Sequence, residues 1–192
     1  MRLKLDNNHT IEPLTSENWE KFEALFGRRQ GANGGCWCMW WRLPRPAWQT
    51  LTKDERRAAF KNLVKRGERV GVLLFEDKLA IGWCAVTPPG ALPTFERSHI
   101  SKPIDETKAW RASCFFIKAG YRGKGYMQQL LRGAIWFAKR CNAPALDAFP
   151  QVIGSRTGYI DAFMGVDTSF HACGFKKIEP RGKFRCAMRI EL

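Results

Sequence analysis

Two short stretches hold the residues best suited to chemistry. In "CFFIKAGYRGKGYMQQLLRGA", residues 114–134, an apolar run enters a turn rich in Gly, Lys and Arg, and a helical pattern follows. The first turn of a helix has unpaired N–H groups and the positive end of its dipole. Gly123 and Gly125 lack a Cβ, so the backbone there can approach a ligand closely. Arg122 and Lys124 add charge, and together these features suit a phosphate. The Walker pattern G-x-x-x-x-G-K-[ST] fails, because Lys118 stands at its first Gly and Gly125 at its Ser/Thr. The dinucleotide pattern G-x-G-x-x-G fails at Gln128. A basic helix start with turn glycines and no ligand stays open as the plain alternative.

The second stretch, "GGCWCMWWR" at residues 34–42, packs two cysteines, three tryptophans and a methionine together. Cys36-x-Cys38 is a lone pair, and no second pair or His-x-x-x-His completes a tetrahedral zinc site. A thioredoxin-like role needs C-x-x-C. Elsewhere the spacing assigns no carboxylate pair and no Ser-His-Asp set. His9 and His99 lie in polar segments. Cys114 reads as packing, since neither a base nor a cause for a lowered thiol pKa is visible beside it. Tyr159 and Asp161 either line a pocket or cap a helix.

The elements that position these residues follow from periodicity. Residues 15–26 have helical spacing of Trp19, Phe22 and Phe26, with Gly27 as the stop. Thr52 and Glu55 make a capping box that opens a helix through Phe60 and Val64 to Gly67. Residues 70–87 read as a hairpin turning at Asp77-Lys78. A Pro-rich loop leads to the apolar strand 109–118, then to the helix 125–140 with one apolar face. A short strand within 143–150, a weaker helix ending at Gly174 and a hairpin around Arg181-Gly182 complete the order. Interleaved helices and strands imply a mixed α/β sheet with helices on its faces.

The chain has 192 residues, 45% hydrophobic and 26% charged, which suits one globular domain over residues 1–192. No apolar run reaches a membrane span, and the N-terminus lacks a secretory apolar stretch, so a cytoplasmic protein is expected. An odd count of seven cysteines points to reduced thiols. The net charge of +14 attracts polyanions, but the basic residues are dispersed and form no nucleic-acid motif.

The run from Ile117 to Met127 resembles motif A of the GNAT superfamily of acyl-CoA-dependent N-acetyltransferases: an apolar strand end, [R/Q]-x-x-G-x-[G/A], then a helix. "SFHACGFKKI" resembles the superfamily's later Y-x-x-x-G-F segment, and the element order matches over nearly the whole chain. "GGCWCMWWR" and "DAFP" also resemble one bacterial group of GNAT-like proteins. The resemblance implies a GNAT fold with a mixed central sheet of about six to seven strands. It implies acetyl-CoA as co-substrate, no metal, and an amine acceptor, either a small molecule or a protein. A homodimer stays open; a membrane or nucleic-acid partner is not expected. In the family, the strand before motif A splays from its parallel neighbour and pairs with pantetheine. That role falls on Phe115, Phe116 and Ile117, and the pyrophosphate on Arg122, Gly123, Lys124, Gly125, Tyr126, Met127 and Gln128. Met127 stands where Gly or Ala is usual. Phe170 stands where many relatives have an acidic Tyr, so no catalytic residue carries over. Asp105 and Glu106, before the central strand, and His171, beside Phe170, are the candidate acids and bases. If the fold is GNAT, residues 34–42 fall on the acceptor side, where Trp37, Trp40 and Trp41 wall a pocket and Arg42 anchors an anion. Two other readings stay open: an acyl-CoA-binding module without turnover, and a basic nucleic-acid binder.

Overall fold

The computed structural model describes residues 1–27, 34–154 and 163–192. Its strands are β1 Leu3–Lys4, β2 His9–Pro13, β3 Val72–Glu76, β4 Leu79–Thr87, β5 Trp110–Ile117, β6 Ala145–Ala148, β7 Lys176–Arg181 and β8 Arg185–Glu191. They form one eight-stranded sheet in the order β1-β2-β3-β4-β5-β6-β8-β7. Only β5 and β6 run parallel; the other neighbours are antiparallel. The sheet exceeds the expected six to seven strands because β1 and β2 read "LK" and "HTIEP". Such short, polar runs give no alternation to read.

The helices are α1 Trp19–Phe26, α2 Arg45–Thr50, α3 Lys53–Lys65, α4 Pro93–Arg97, α5 Tyr126–Arg140 and α6 Asp167–His171. The expected capping box opens α3: Thr52 Oγ1 accepts from the Glu55 N–H at 3.2 Å. The Thr52 N–H donates to Glu55 Oε2 at 2.7 Å. Helices α2 and α4 arise in stretches that read as loops. Each carries a proline in its first turn, which presets the helical φ, and each is too short to show a period.

Strand alternation separates the two larger core clusters. On one face α5 lays Leu130, Leu131, Ala134 and Phe137 on Val72, Leu74, Val86 and Ala112. Gly133 makes this close approach possible, since a Cβ there would meet Ile11 at 2.7 Å. On the other face Phe22, Phe26, Trp37 and Phe60 pack on Leu73, Phe75, Trp83 and Ala85.

Candidate active site

Strands β5 and β6 pair only from Trp110↔Leu146 to Ala112↔Ala148. Beyond Ala112, β5 stays bonded to β4 as far as Gly82↔Ile117, but its β6-side edge is open. At the parting point the β4 register shifts between Ala85 and Val86, which pair with Cys114 and Ala112. Ser113 is the extra residue of this bulge. A bulge puts two successive side chains on one face. Ser113 and Cys114 both reach a cavity on the face away from α5, while Phe115 packs under α5.

The open edge leads directly into the glycine loop. Gly123 and Gly125 have φ of +76° and +81°, and a Cβ at either would meet nothing within 4 Å. The loop is exposed. Gly125 is the left-handed N-cap of α5, and the Gln128 N–H turns back to its carbonyl at 3.0 Å. The N–H groups of Gly123, Lys124, Gly125, Tyr126 and Met127 have no backbone partner among the described residues. Arg122 Nε donates to the Ile117 carbonyl at 3.0 Å, which tucks the loop onto the strand end. The predicted residues Phe115–Ile117 and Arg122–Gln128 therefore meet at one end of the sheet. The Met127 side chain points inward: a Cβ on Gly165 would meet Met127 Cε at 2.5 Å. Its bulk leaves the loop free.

The cavity measures about 450 Å³. Trp40, Trp41, Trp48 and Phe163 supply its aromatic wall, and Cys36, Cys38, Arg42 and Arg185 add polar atoms. Trp37, expected on this wall, is instead 2% exposed in the core, 6.2 Å from Trp19 and 5.5 Å from Phe26 between ring centroids. Trp37 and Cys38 both have positive φ, 43° and 56°. Arg42 donates to the Ala91 carbonyl at 3.2 Å, and its buried Nε has no partner. Its charge is buried at a cost, offset by Cys38 and more weakly by Glu68.

None of the candidate acids and bases lines this cavity. Asp105 sits at the opposite end of β5, bound to Arg189 at 2.6 and 3.1 Å. Arg189 and the Thr107 N–H hold its carboxyl well below the usual carboxylate range, so it is a poor base. Glu106 and His171 are exposed. Phe170 is fully buried, edge-on to Phe115 at 5.7 Å. Tyr159 and Asp161 lie outside the described residues.

What the sequence does not reveal is that Cys38 and Cys114 line one cavity, with Trp83 Nε1 donating to Cys38 Sγ at 2.9 Å. The C-x-C spacing was visible, but nothing in it points to a residue on β5. Among the described residues no group of three His, Cys, Asp or Glu side chains is placed to hold a metal ion. No described helix is long and apolar enough to cross a membrane.

Residues 35–156 match the Acetyltransferase (GNAT) family. No curated protein matches the chain in sequence. Among solved structures, the ribosomal-protein-S5-alanine acetyltransferase of Vibrio fischeri is 14% identical, with a TM-score of 0.57 over 100% of this chain and 96% of that one. The yncA protein of Salmonella typhimurium, solved with its cofactor acetyl-CoA, is 17% identical, with a TM-score of 0.55 over 97% and 95%. The ribosomal-protein-alanine N-acetyltransferase of Brucella melitensis is 15% identical, with a TM-score of 0.54 over 95% and 99%.

Proposed function

The chain belongs to the GNAT acetyltransferase family, and on that premise we propose that it transfers an acetyl group from acetyl-CoA to the primary amine of a small molecule. The observation that carries the reading is the parting of β5 from β6 next to the glycine loop. The splayed edge offers backbone groups to an amide-containing arm. The loop offers unpaired N–H groups and a helix N-terminus to a pyrophosphate. Their common end of the sheet suits a ligand with both parts, and coenzyme A has both.

The donor lies along the β5 edge with its acyl end at the Ser113 bulge. Backbone N–H groups at the bulge polarise the thioester carbonyl. The acceptor enters from the opposite face through the tryptophan-walled cavity, whose aromatic surface fits an amine with an apolar body. A cavity of about 450 Å³ is in the range of small-molecule sites. Phe170 has no proton to give, so the coenzyme A sulfur leaves as a thiolate into solvent.

The competing reading is an acyl-CoA-binding module without turnover, favoured by Phe170 and by the lack of a described carboxylate or imidazole in the cavity. Thermal shift with acetyl-CoA, followed by thiol release across a broad amine panel, separates the two. A shift with amine-dependent thiol release is expected. A shift without release for any amine leaves the binding module, and no shift with any acyl-CoA sinks both.

A further inference from the structure

The tryptophan-walled cavity holds a cation that the fold treats unlike its other enclosed cations. Arg111, Arg181 and Arg189 are buried, and each is paired with a carboxylate, from Asp147, Glu179, or Asp147 and Asp105 together. Arg42, half-buried, lines the cavity. Among the described residues its guanidinium has a single hydrogen-bond acceptor, the Ala91 carbonyl at 3.2 Å, and its buried Nε has none. The Phe60 ring, 5.9 Å from the guanidinium carbon, is its aromatic neighbour, a weaker partner than an anion. A buried donor left unpaired costs about 1–3 kcal/mol. A ligand anion at Arg42 would relieve that cost. The Trp41 indole N–H, on the same wall, is also buried without a partner among the described residues.

The rest of the lining describes the body of such a ligand. Trp40, Trp48 and Phe163 offer flat apolar surface. Trp40 and Trp48 stand edge to face at 5.0 Å, and Trp41 is braced on Phe95 at 5.1 Å, so the wall stands before a ligand arrives. No acidic side chain lines the cavity among the described residues, and a second cationic group on the acceptor would find no described partner there. A volume of about 450 Å³ is near the small end of the roughly 300–1,000 Å³ of ligand sites, which suits a molecule of amino-acid size.

We infer that the acceptor is an amino acid with an apolar or aromatic side chain, its carboxylate held by Arg42 and its amine directed at the Ser113 bulge. The inference rests on the proposed acetyl transfer and names the acceptor class. Each part of the acceptor answers a separate part of the cavity. The carboxylate matches a planar guanidinium fork, and the side chain matches the tryptophan wall. The amine matches the floor at Ser113 and Cys114, where β5 parts from β6. The amine nitrogen bonds to the acetyl carbon and the carbon–sulfur bond to coenzyme A breaks. The sulfur leaves as a thiolate, and the surplus ammonium proton passes to water. The product keeps its carboxylate and so keeps its hold on Arg42.

The test supplies acetyl-CoA to the full chain and follows thiol release with phenylalanine, tryptophan and leucine, each beside its carboxamide and its decarboxylated amine. The acids should exceed the carboxylate-free partners in kcat/KM by about tenfold to a hundredfold, the worth of a hydrogen bond to a charged group. Arg42→Met should erase that preference and Arg42→Lys should keep part of it, while acetyl-CoA still raises the melting temperature of both. A loosened fold lowers every rate but does not erase a ratio. If neither variant folds, the ratio in the unaltered protein decides. Carboxylate-free amines used as well as the acids or better overturn the inference and leave acetyl transfer to another amine. A preference that survives Arg42→Met also overturns it. A melting shift with acetyl-CoA but no thiol release from any amine removes the acetyl-transfer reading instead. Calorimetry with N-acetylphenylalanine then decides the anion site: binding that Arg42→Met abolishes supports it, and no binding overturns it.

Discussion

Two arginines near β5, Arg111 buried and Arg42 half-buried, are treated in opposite ways. Arg111, 2% exposed, bonds Asp147 at 2.8 Å. Asp147 is fully buried and also takes Arg189 at 2.6 and 3.0 Å. The three are register partners across β5, β6 and β8, so their side chains share a face, and Asp105 completes the set from outside. Arg42, beside the cavity, has one backbone carbonyl and, among the described residues, no carboxylate in contact. Where β5 and β6 are zipped together, the charges are matched and structural. Where they part, a positive charge is left lining a cavity. The contrast separates what holds the sheet from what the sheet holds open.

Substitutions can break or sharpen this contrast. Asp147→Ala should be the most severe, because it strands the buried Arg111 guanidinium and leaves Arg189 with Asp105 alone; a loss of about 3–5 kcal/mol is expected from urea unfolding. A loss below 1 kcal/mol would mean that the zipped end is not structural. Gly125→Val tests the donor loop without touching either cluster. Its φ of +81° resists a β-branched residue, and the side chain would project into open space over the loop. Acetyl-CoA affinity should fall about a hundredfold or more in calorimetry, some 2.7 kcal/mol, with the fold retained. Arg42→Met should cost only about 1 kcal/mol of stability, the scale of one hydrogen bond. A loss as large as that of Asp147→Ala would erase the distinction between the two arginines. The smallest effect belongs to Asp105→Asn. The Asp105 carboxyl is lower in the folded chain than in the unfolded one. Its contribution is therefore complete above the usual carboxylate range and is lost as pH falls through the folded value. Urea midpoints of variant and parent should differ modestly at neutral pH and converge in strong acid.

The sequence made one of the two functional regions far more legible than the other. The donor side is built from consecutive residues. A strand, Gly123, Gly125 and a helix start must follow one another in the chain, so spacing alone announces them. The capping box at Thr52 and Glu55 is legible for the same reason. The acceptor side is built across the fold. Cys38 and Cys114 come to line one cavity, and Trp83 reaches Cys38, only after the sheet has formed. The Ser113 bulge that aims Cys114 into the cavity has no signature in "WRASCFFI". Trp37, Trp40 and Trp41 look alike in "CWCMWW", and nothing in that string decides which enters the core. Asp105 and Glu106 looked able to reach the mouth of β5. They stand at its closed end, because the parting of the strands occurs beyond Ala112 and not before Trp110.

The central claim is that the donor threads between β5 and β6 with its pyrophosphate on the loop before α5. A crystal structure with coenzyme A tests this most directly. The expected result is pantetheine bonded to the Phe115–Ile117 backbone edge, pyrophosphate on the N–H groups of residues 123–127, and the sulfur facing Ser113 and Cys114. Coenzyme A bound away from the open edge, or an edge that closes onto β6 in its presence, would contradict the account.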